Sequence, residues 1–281
     1  MRSRGLLTVA IALATASAAA ARIAVVGPGG GGDIECVLAS RHDPSRLFAG
    51  CDVGGFYFSS DFGRHWEIRN VGLGCPGVQT IAEHPKDPNR LAIGGHAGIL
   101  LSDDLGLNWH QATNGLPAPS PDGHSAPVVK IVWDENDTNR LWAATGLPHD
   151  GKERSRVAGT RGRVYRSDDG GESWDAALRK VPHGWVSDFW SCPVVSLSIS
   201  RAFSSNIVFG TMSGVYVSED GGATWAQRYT AEDVPPGKIA GTGLDTLCVA
   251  DIRPDRFVPN RIRVAFYDVG KLRRHRGPGR A

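Results

Sequence analysis

An eight-residue pattern, Ser-x-Asp-x-Gly-x-x-Trp, occurs four times in this chain, beginning at Ser59, Ser102, Ser167 and Ser218, and no other feature limits the possible folds so narrowly. The third copy reads Ser167-Asp168-Asp169-Gly170-Gly171-Glu172-Ser173-Trp174. Each copy follows a short apolar run (Phe56 to Phe58, Ile99 to Leu101, Val164-Tyr165, Val215 to Val217) and ends on a tryptophan, which is the pattern of strand, tight turn, strand. The turn carboxylates Asp61, Asp104, Asp169 and Asp220 can accept backbone N–H groups that the reversal leaves unpaired, and the Gly two residues later supplies positive φ. Trp66, Trp109, Trp174 and Trp225 each bring a large apolar surface to bury against a neighbouring layer. These aspartates are expected to serve the fold and not catalysis.

Aligned on the hairpins, the chain shows a longer four-stranded unit, with a polar turn after the first strand and a Gly-rich turn after the second. In unit one these parts are Cys36 to Ala39, His42-Asp43-Pro44-Ser45-Arg46, Leu47 to Gly50, Asp52 to Gly55 and Phe56 to Ser59. Unit two repeats them from Thr80, unit three from Val128 with an insertion over Thr145 to Gly162, and unit four from Val194. A fifth unit runs from Leu247 through Arg253-Pro254-Asp255 to Val264-Ala265-Phe266 without reaching the tryptophan turn. Four-stranded repeats of roughly 40 to 50 residues predict an all-β chain, a β-propeller with four full blades and part of a fifth.

The ends read differently. Arg2 and Arg4 precede an apolar run from Leu6 to Ala14 and small residues up to Ala21, so residues 1–21 are expected to be a secretory signal peptide and the protein secreted or periplasmic. That run is about half the roughly 20 apolar residues a membrane span needs. Residues 22–270 form the propeller, and residues 271–281 turn basic where a third strand was due. The tail reads either as a basic arm or as an out-of-frame or truncated end, and the register favours the second. A formal net charge of +2, with several cations in that tail, argues against a nucleic-acid partner. Cys36, Cys51, Cys75, Cys192 and Cys248 are odd in number and show no C-x-x-C spacing; Cys51 and Cys75 are the best placed to pair, and otherwise these are small buried residues.

The Ser-x-Asp-x-Gly-x-x-Trp pattern resembles the Asp-box, or bacterial neuraminidase (BNR) repeat, of β-propellers in the sialidase-like superfamily, which marks blades in sialidases, xyloglucan-degrading hydrolases, sortilin-type receptors and photosystem assembly factors alike. A narrower resemblance comes from Gly29-Gly30-Gly31-Gly32 together with Cys51-Asp52-Val53-Gly54-Gly55-Phe56-Tyr57. These are similar to the opening of the first propeller in xyloglucanase-type glycoside hydrolases. The resemblance implies that Asp52 is one of two catalytic carboxylates of an inverting hydrolase and that the other comes from a second propeller. Asp268-Val269-Gly270 is a repeat-level echo of the same turn in unit five. A D-V-G-G turn also occurs in non-catalytic Asp-box proteins.

Strand alternation puts the strand 1–2 turn and the Asp-box at one end of each blade, and the strand 2–3 turn and the blade connections at the other. Function is expected at the second end, which collects Asp52 to Gly55, His96, the insertion with His149 and Asp150, and the connections. The richest connection, His183-Gly184-Trp185-Val186-Ser187-Asp188-Phe189-Trp190, suits sugar recognition, since aromatic faces stack on sugar rings while polar groups bind hydroxyls. His96, His183, Trp185, Asp188 and Trp190 are therefore the substrate-binding candidates; the alternative is that Trp185 or Trp190 packs beneath its loop.

Other chemistries fail on context. Gly27-x-Gly29-x-x-Gly32, with Asp52 downstream, has the form of a dinucleotide fingerprint, but His42-Asp43-Pro44 interrupts where a helix should continue. Sialidase-type chemistry lacks its Arg-Ile-Pro segment. His42, His84, His96, His149 and His183 fall in separate places without ligand spacing, so neither metal nor cofactor is expected. The sequence thus points to an exported carbohydrate-active propeller, glycoside hydrolase-like, that binds or hydrolyses a polysaccharide; the alternative is a non-catalytic propeller serving as a protein-interaction or assembly scaffold.

Overall fold

A computed structural model of the chain describes residues 27–29, 32–117, 127–146, 163–178, 194–211, 214–228, 249–255, 257–258 and 261–266. Among them every regular element is a strand. Blade one comprises β1 (Ile34–Ala39), β2 (Leu47–Cys51), β3 (Gly55–Ser59) and β4 (Glu67–Ile68), and blade two β5 (Val78–Glu83), β6 (Leu91–Gly95), β7 (Gly98–Ser102) and β8 (His110–Gln111). Blade three comprises β9 (Val128–Trp133), β10 (Leu141–Thr145), β11 (Arg163–Ser167) and β12 (Asp175–Leu178), and blade four β13 (Val194–Ile199), β14 (Ile207–Thr211), β15 (Gly214–Ser218) and β16 (Ala226–Arg228). A fifth sheet contains β17 (Val249–Pro254) and β18 (Ile262–Phe266).

Each full blade is an antiparallel meander in sequence order. The first strands of successive blades, β1, β5, β9, β13 and β17, lie next to one another, each against the next, and this series arrays the sheets side by side. Among the described residues the chain thus forms a β-propeller of four four-stranded blades plus a two-stranded fifth sheet. Burial follows from that array. The middle strands β2, β3, β6 and β7 are apolar along nearly their whole length and buried on both faces, whereas β4 and β8 at the rim are exposed. A strand covered on both sides has no solvent face, so its sequence runs apolar instead of alternating.

Neighbouring blades are also joined through polar side chains of the first strands. Thr80 Oγ1 accepts the Ile131 N–H at 3.3 Å, and Ser196 Oγ accepts the Ile252 N–H at 3.0 Å. At the end of every first strand a side-chain acceptor caps the turn that follows. Ser40 Oγ takes the His42 and Asp43 N–H groups, His84 Nδ1 those of Lys86 and Asp87, Asp134 Oδ1 those of Asn136 and Asp137, Ser200 Oγ those of Ala202 and Phe203, and Asp255 Oδ1 those of Phe257 and Val258. Three residue types do one job at one position, because all the turn requires is a buried acceptor within reach of two N–H groups. The same cap on Asp255 shows that the fifth sheet starts as a blade of this series.

The Asp-box turns are built identically in all four blades. The box serine is buried, and its hydroxyl accepts the N–H of the box glycine, as in Ser167 Oγ with the Gly171 N–H at 2.8 Å, while donating to the box aspartate. The aspartate then receives the N–H four residues on, at His65, Asn108, Ser173 or Thr224, each at 2.9 Å, and a second bond from that residue's side chain. The box residue after the aspartate (Phe62, Leu105, Gly170 or Gly221) also has positive φ, so two consecutive residues turn left-handed, and its N–H donates to a carbonyl of the strand 1–2 turn. That bond fixes both turns at one end of the blade.

The box tryptophans divide into two pairs. Trp109 (5% exposed) and Trp174 (3% exposed) sit between blades, and their indole N–H groups donate across the gap to the Arg69 and Ala112 carbonyls at 2.9 Å. Trp66 and Trp225 are half-buried and bond within their own turns, to the Gly63 and Gly222 carbonyls. In blade four the inter-blade space beside Gly222 is filled by Trp142, which is fully buried. Pairing of Cys51 with Cys75 does not occur: Cys36, Cys51 and Cys75 are all thiols. Cys51 is turned into the strand 2–3 turn, where its sulfur accepts the Gly54 N–H at 3.3 Å, and burial pushes the Cys36 thiol up to about 12.

The turn network makes stability pH-dependent in one direction. Asp61 is lowered from 3.8 to about 2, first by the His65 N–H and then by the His65 side chain. Asp220 is lowered to about 2 by the Thr224 hydroxyl and N–H, and Asp255 to about 2 by the Phe257 N–H and then Arg263. A carboxylate with a depressed folded pKa stabilises fully above its unfolded value and loses that contribution as pH falls toward the folded one. His84 is lowered from 6.5, first by burial and then by Arg90, so its contribution is present above 6.5 and is lost on acidification. Melting temperature is therefore expected to drop a little as pH falls below about 6.5 and steeply between about 4 and 2. A melting temperature flat down to pH of about 2 contradicts the turn network.

Candidate functional site

The two ends of the propeller differ in chemistry. At the Asp-box end the strand 1–2 turns are tied together by charge: Arg41 N–H and Ser40 Oγ bond Glu83, and Glu135 takes Arg41 at 3.4 Å and Arg201 at 2.9 Å. Blades one, two, three and four are linked through these groups, whose hydrogen-bonding capacity is spent on one another. At the opposite end, among the described residues, the strand 2–3 turns of blades one and two carry Asp52 and His96.

Asp52 stands at the start of the β2–β3 turn. Its Oδ1 accepts the Asp33 N–H at 2.8 Å and the Cys51 thiol at 3.4 Å, and its own N–H donates to the Asp33 carbonyl at 3.1 Å. The Asp33 N–H bond is the main cause that lowers its pKa, against an opposing push from burial. Asp52 is thus held as the carboxylate, a species able to accept a proton and not to donate one. Gly32 lies directly over it: a Cβ there would collide with the Asp52 carboxylate and come within 2.9 Å of the Cys51 sulfur. The chain from Gly32 runs into β1 and not into a helix, which disposes of the dinucleotide reading.

The turn behind Asp52 is clamped by a residue that no sequence pattern singles out. Asn70, in the connection from blade one to blade two, accepts the Phe56 N–H and donates to the Gly54 carbonyl, each at 2.9 Å. A lone Asn in a polar connection carries no periodicity or motif, so only the folded register reveals its reach.

His96 follows β6 in the corresponding turn of blade two, and its N–H donates to the Gly77 carbonyl at 3.2 Å. Gly77 lies between the two candidates: a Cβ there would come 3.1 Å from His96 Nδ1 and 3.5 Å from the Asp52 carbonyl oxygen. The absence of a side chain at Gly77 lets the Asp52 turn and the His96 ring approach one another. The structure thus brings together Asp52 and His96 of the sequence candidates. His183, Trp185, Asp188 and Trp190, with the insertion bearing His149 and Asp150, lie outside the described residues. Asp61, Asp104, Asp169 and Asp220 lie in turns at the other end with their bonds made internally. No group of three or more His, Cys, Asp or Glu side chains that could hold a metal ion occurs among the described residues.

Comparison with known proteins bears on the fold. A family model of the BNR/Asp-box repeat matches residues 165–176, the turn of blade three. The chain is 29% identical over 173 residues to a xyloglucanase from Paenibacillus sp, covering 54% of this chain and 16% of that protein. It is 23% identical over 176 residues to an oligoxyloglucan-reducing end-specific xyloglucanase from Emericella nidulans, covering 58% of this chain and 20% of that one. It therefore spans no more than a fifth of the length of these relatives. Among solved structures, a crystal structure of an ancestral GH74 enzyme superposes with a TM-score of 0.59 at 22% identity, over 76% of this chain and 26% of the other, a likeness of fold. The chain is an Asp-box β-propeller resembling the N-terminal propeller of xyloglucanases.

Proposed function

We propose that this propeller binds a xyloglucan-like polysaccharide at the end carrying Asp52 and supplies one of the two carboxylates of an inverting glycoside hydrolase. The observation that carries the reading is Asp52 itself, a carboxylate held ionised by the Asp33 N–H, in a turn whose backbone lies across a bare glycine from His96. The names of the relatives point to the same substrate class. Inverting hydrolysis needs a base that activates water and an acid that protonates the leaving oxygen, about 6.5–9.5 Å apart. An ionised Asp52 fills the first role. By the resemblance to xyloglucanases, the second carboxylate is assigned to a further propeller. The protein is placed outside the cell, with residues 1–21 as the export signal and the His183 to Trp190 connection as a sugar platform.

On this reading the chain alone binds xyloglucan oligosaccharides weakly and hydrolyses none. Isothermal titration of the folded chain is expected to show binding that His96→Ala weakens and that Asp220→Ala, at the other end, leaves unchanged in the folded fraction. Binding lost on Asp220→Ala and kept on His96→Ala would move the ligand to the Asp-box end. No binding to any glucan would favour the protein-scaffold role.

A further inference from the structure

Gln79 lies in a bulge of β5: Val78 pairs with Gly95 and Thr80 with Gly94, so Gln79 has no partner of its own in the ladder. Bulges re-aim the side chain they release. The matching bulge positions in the other blades are Glu35, Val129, Val195 and Ala250, so an amide stands there in blade two alone. Gln79 Nε2 lies 3.4 Å from His96 Nε2, and Gln79 Oε1 is buried with no hydrogen-bond partner. Leaving an amide oxygen unpaired in the interior costs stability, and a methionine of similar volume would fill the same space without that cost. The amide therefore calls for an explanation other than packing, and the group it touches is the His96 imidazole beside Gly77.

Resting on the glycan-binding reading above, we propose that Gln79 is a positioning residue, which donates to His96 Nε2, holds the imidazole in the Nδ1–H tautomer, and so aims an N–H donor over Gly77 toward the Asp52 side, where a sugar hydroxyl binds. A neutral imidazole has one donor and one acceptor nitrogen, and the bond made by one nitrogen decides which proton the other carries. Here the Gln79 amide N–H makes Nε2 the acceptor. Nδ1 is the ring nitrogen beside Gly77, where a Cβ would come 3.1 Å from it, so the missing side chain at Gly77 leaves that donor uncovered.

The test has two readouts on the full chain. Nitrogen-15 spectra of the histidine rings, recorded above the pH at which imidazole protonates, are expected to show His96 as the Nδ1–H tautomer. In Gln79→Met the ring should revert to the Nε2–H form that free imidazole side chains favour. Gln79→Glu, close to isosteric and unable to donate as a carboxylate, should give the Nε2–H form as well, and it keeps the test informative if the Met variant does not fold. In calorimetry, affinity for xyloglucan oligosaccharides should fall about 5- to 10-fold in Gln79→Met, the loss of roughly one hydrogen bond. An Nε2–H tautomer in the unmodified protein, or a tautomer unchanged by both substitutions, overturns the proposal. The expected tautomers with no oligosaccharide binding in any variant would uphold the positioning of His96 and sink the glycan reading instead.

Discussion

Trp174→Ala is expected to destabilise the propeller by about 3–5 kcal/mol, the range for removing a buried aromatic side chain from a packed core. The indole is 3% exposed, belongs to the cluster of Leu101, Ile131, Leu141 and Tyr165, and donates to the Ala112 carbonyl of the preceding blade. Its removal opens a cavity between two blades and orphans that carbonyl. Trp66→Ala should cost distinctly less, because Trp66 is half-buried and its indole bonds only its own turn. Urea unfolding of the two variants decides the matter, with equal losses contradicting an inter-blade role for Trp174.

Much of the fold was legible because it depends on residues whose chemistry cannot be substituted freely. Four copies of Ser, Asp, Gly and Trp at fixed spacing admit one turn, and the alternation of turns then fixes which end each loop occupies. The caps at Ser40, His84, Asp134, Ser200 and Asp255 were not legible, because serine, histidine and aspartate satisfy the same pair of N–H groups and leave no common letter. The donor at the seventh box position was visible in principle: His65, Asn108, Ser173 and Thr224 all carry one. Positive φ at Phe62 and Leu105 could not be read at all, since the type of neither residue announces it.

The candidate site divides along the same line. Asp52 and His96 occupy turns that the repeat register defines, so their shared end follows from the sequence. Gln79 acts through a bulge inside blade two and Asn70 through a clamp inside blade one, which exist only once each sheet has formed, and Gly77 acts through a close approach between the two blades. The expected link between Cys51 and Cys75 failed for a related reason: register places residues on a face but does not say where a sulfur points, and that of Cys51 is engaged within its own turn.

Asp52→Asn is expected to have the largest effect on activity, because it keeps the shape of the side chain and removes its ability to take a proton. General-base assistance is worth about 10²–10⁴-fold in rate. The direct measurement is sugar release from xyloglucan by a chimera in which this chain replaces the corresponding stretch of the Paenibacillus xyloglucanase, so that the rest of that protein accompanies the Asp52 site. The folded chimera should release oligosaccharides, and Asp52→Asn should reduce turnover by about 10²–10⁴-fold with unchanged melting temperature. Turnover that survives Asp52→Asn in the folded chimera would contradict the placement of the chemistry at this end of the propeller.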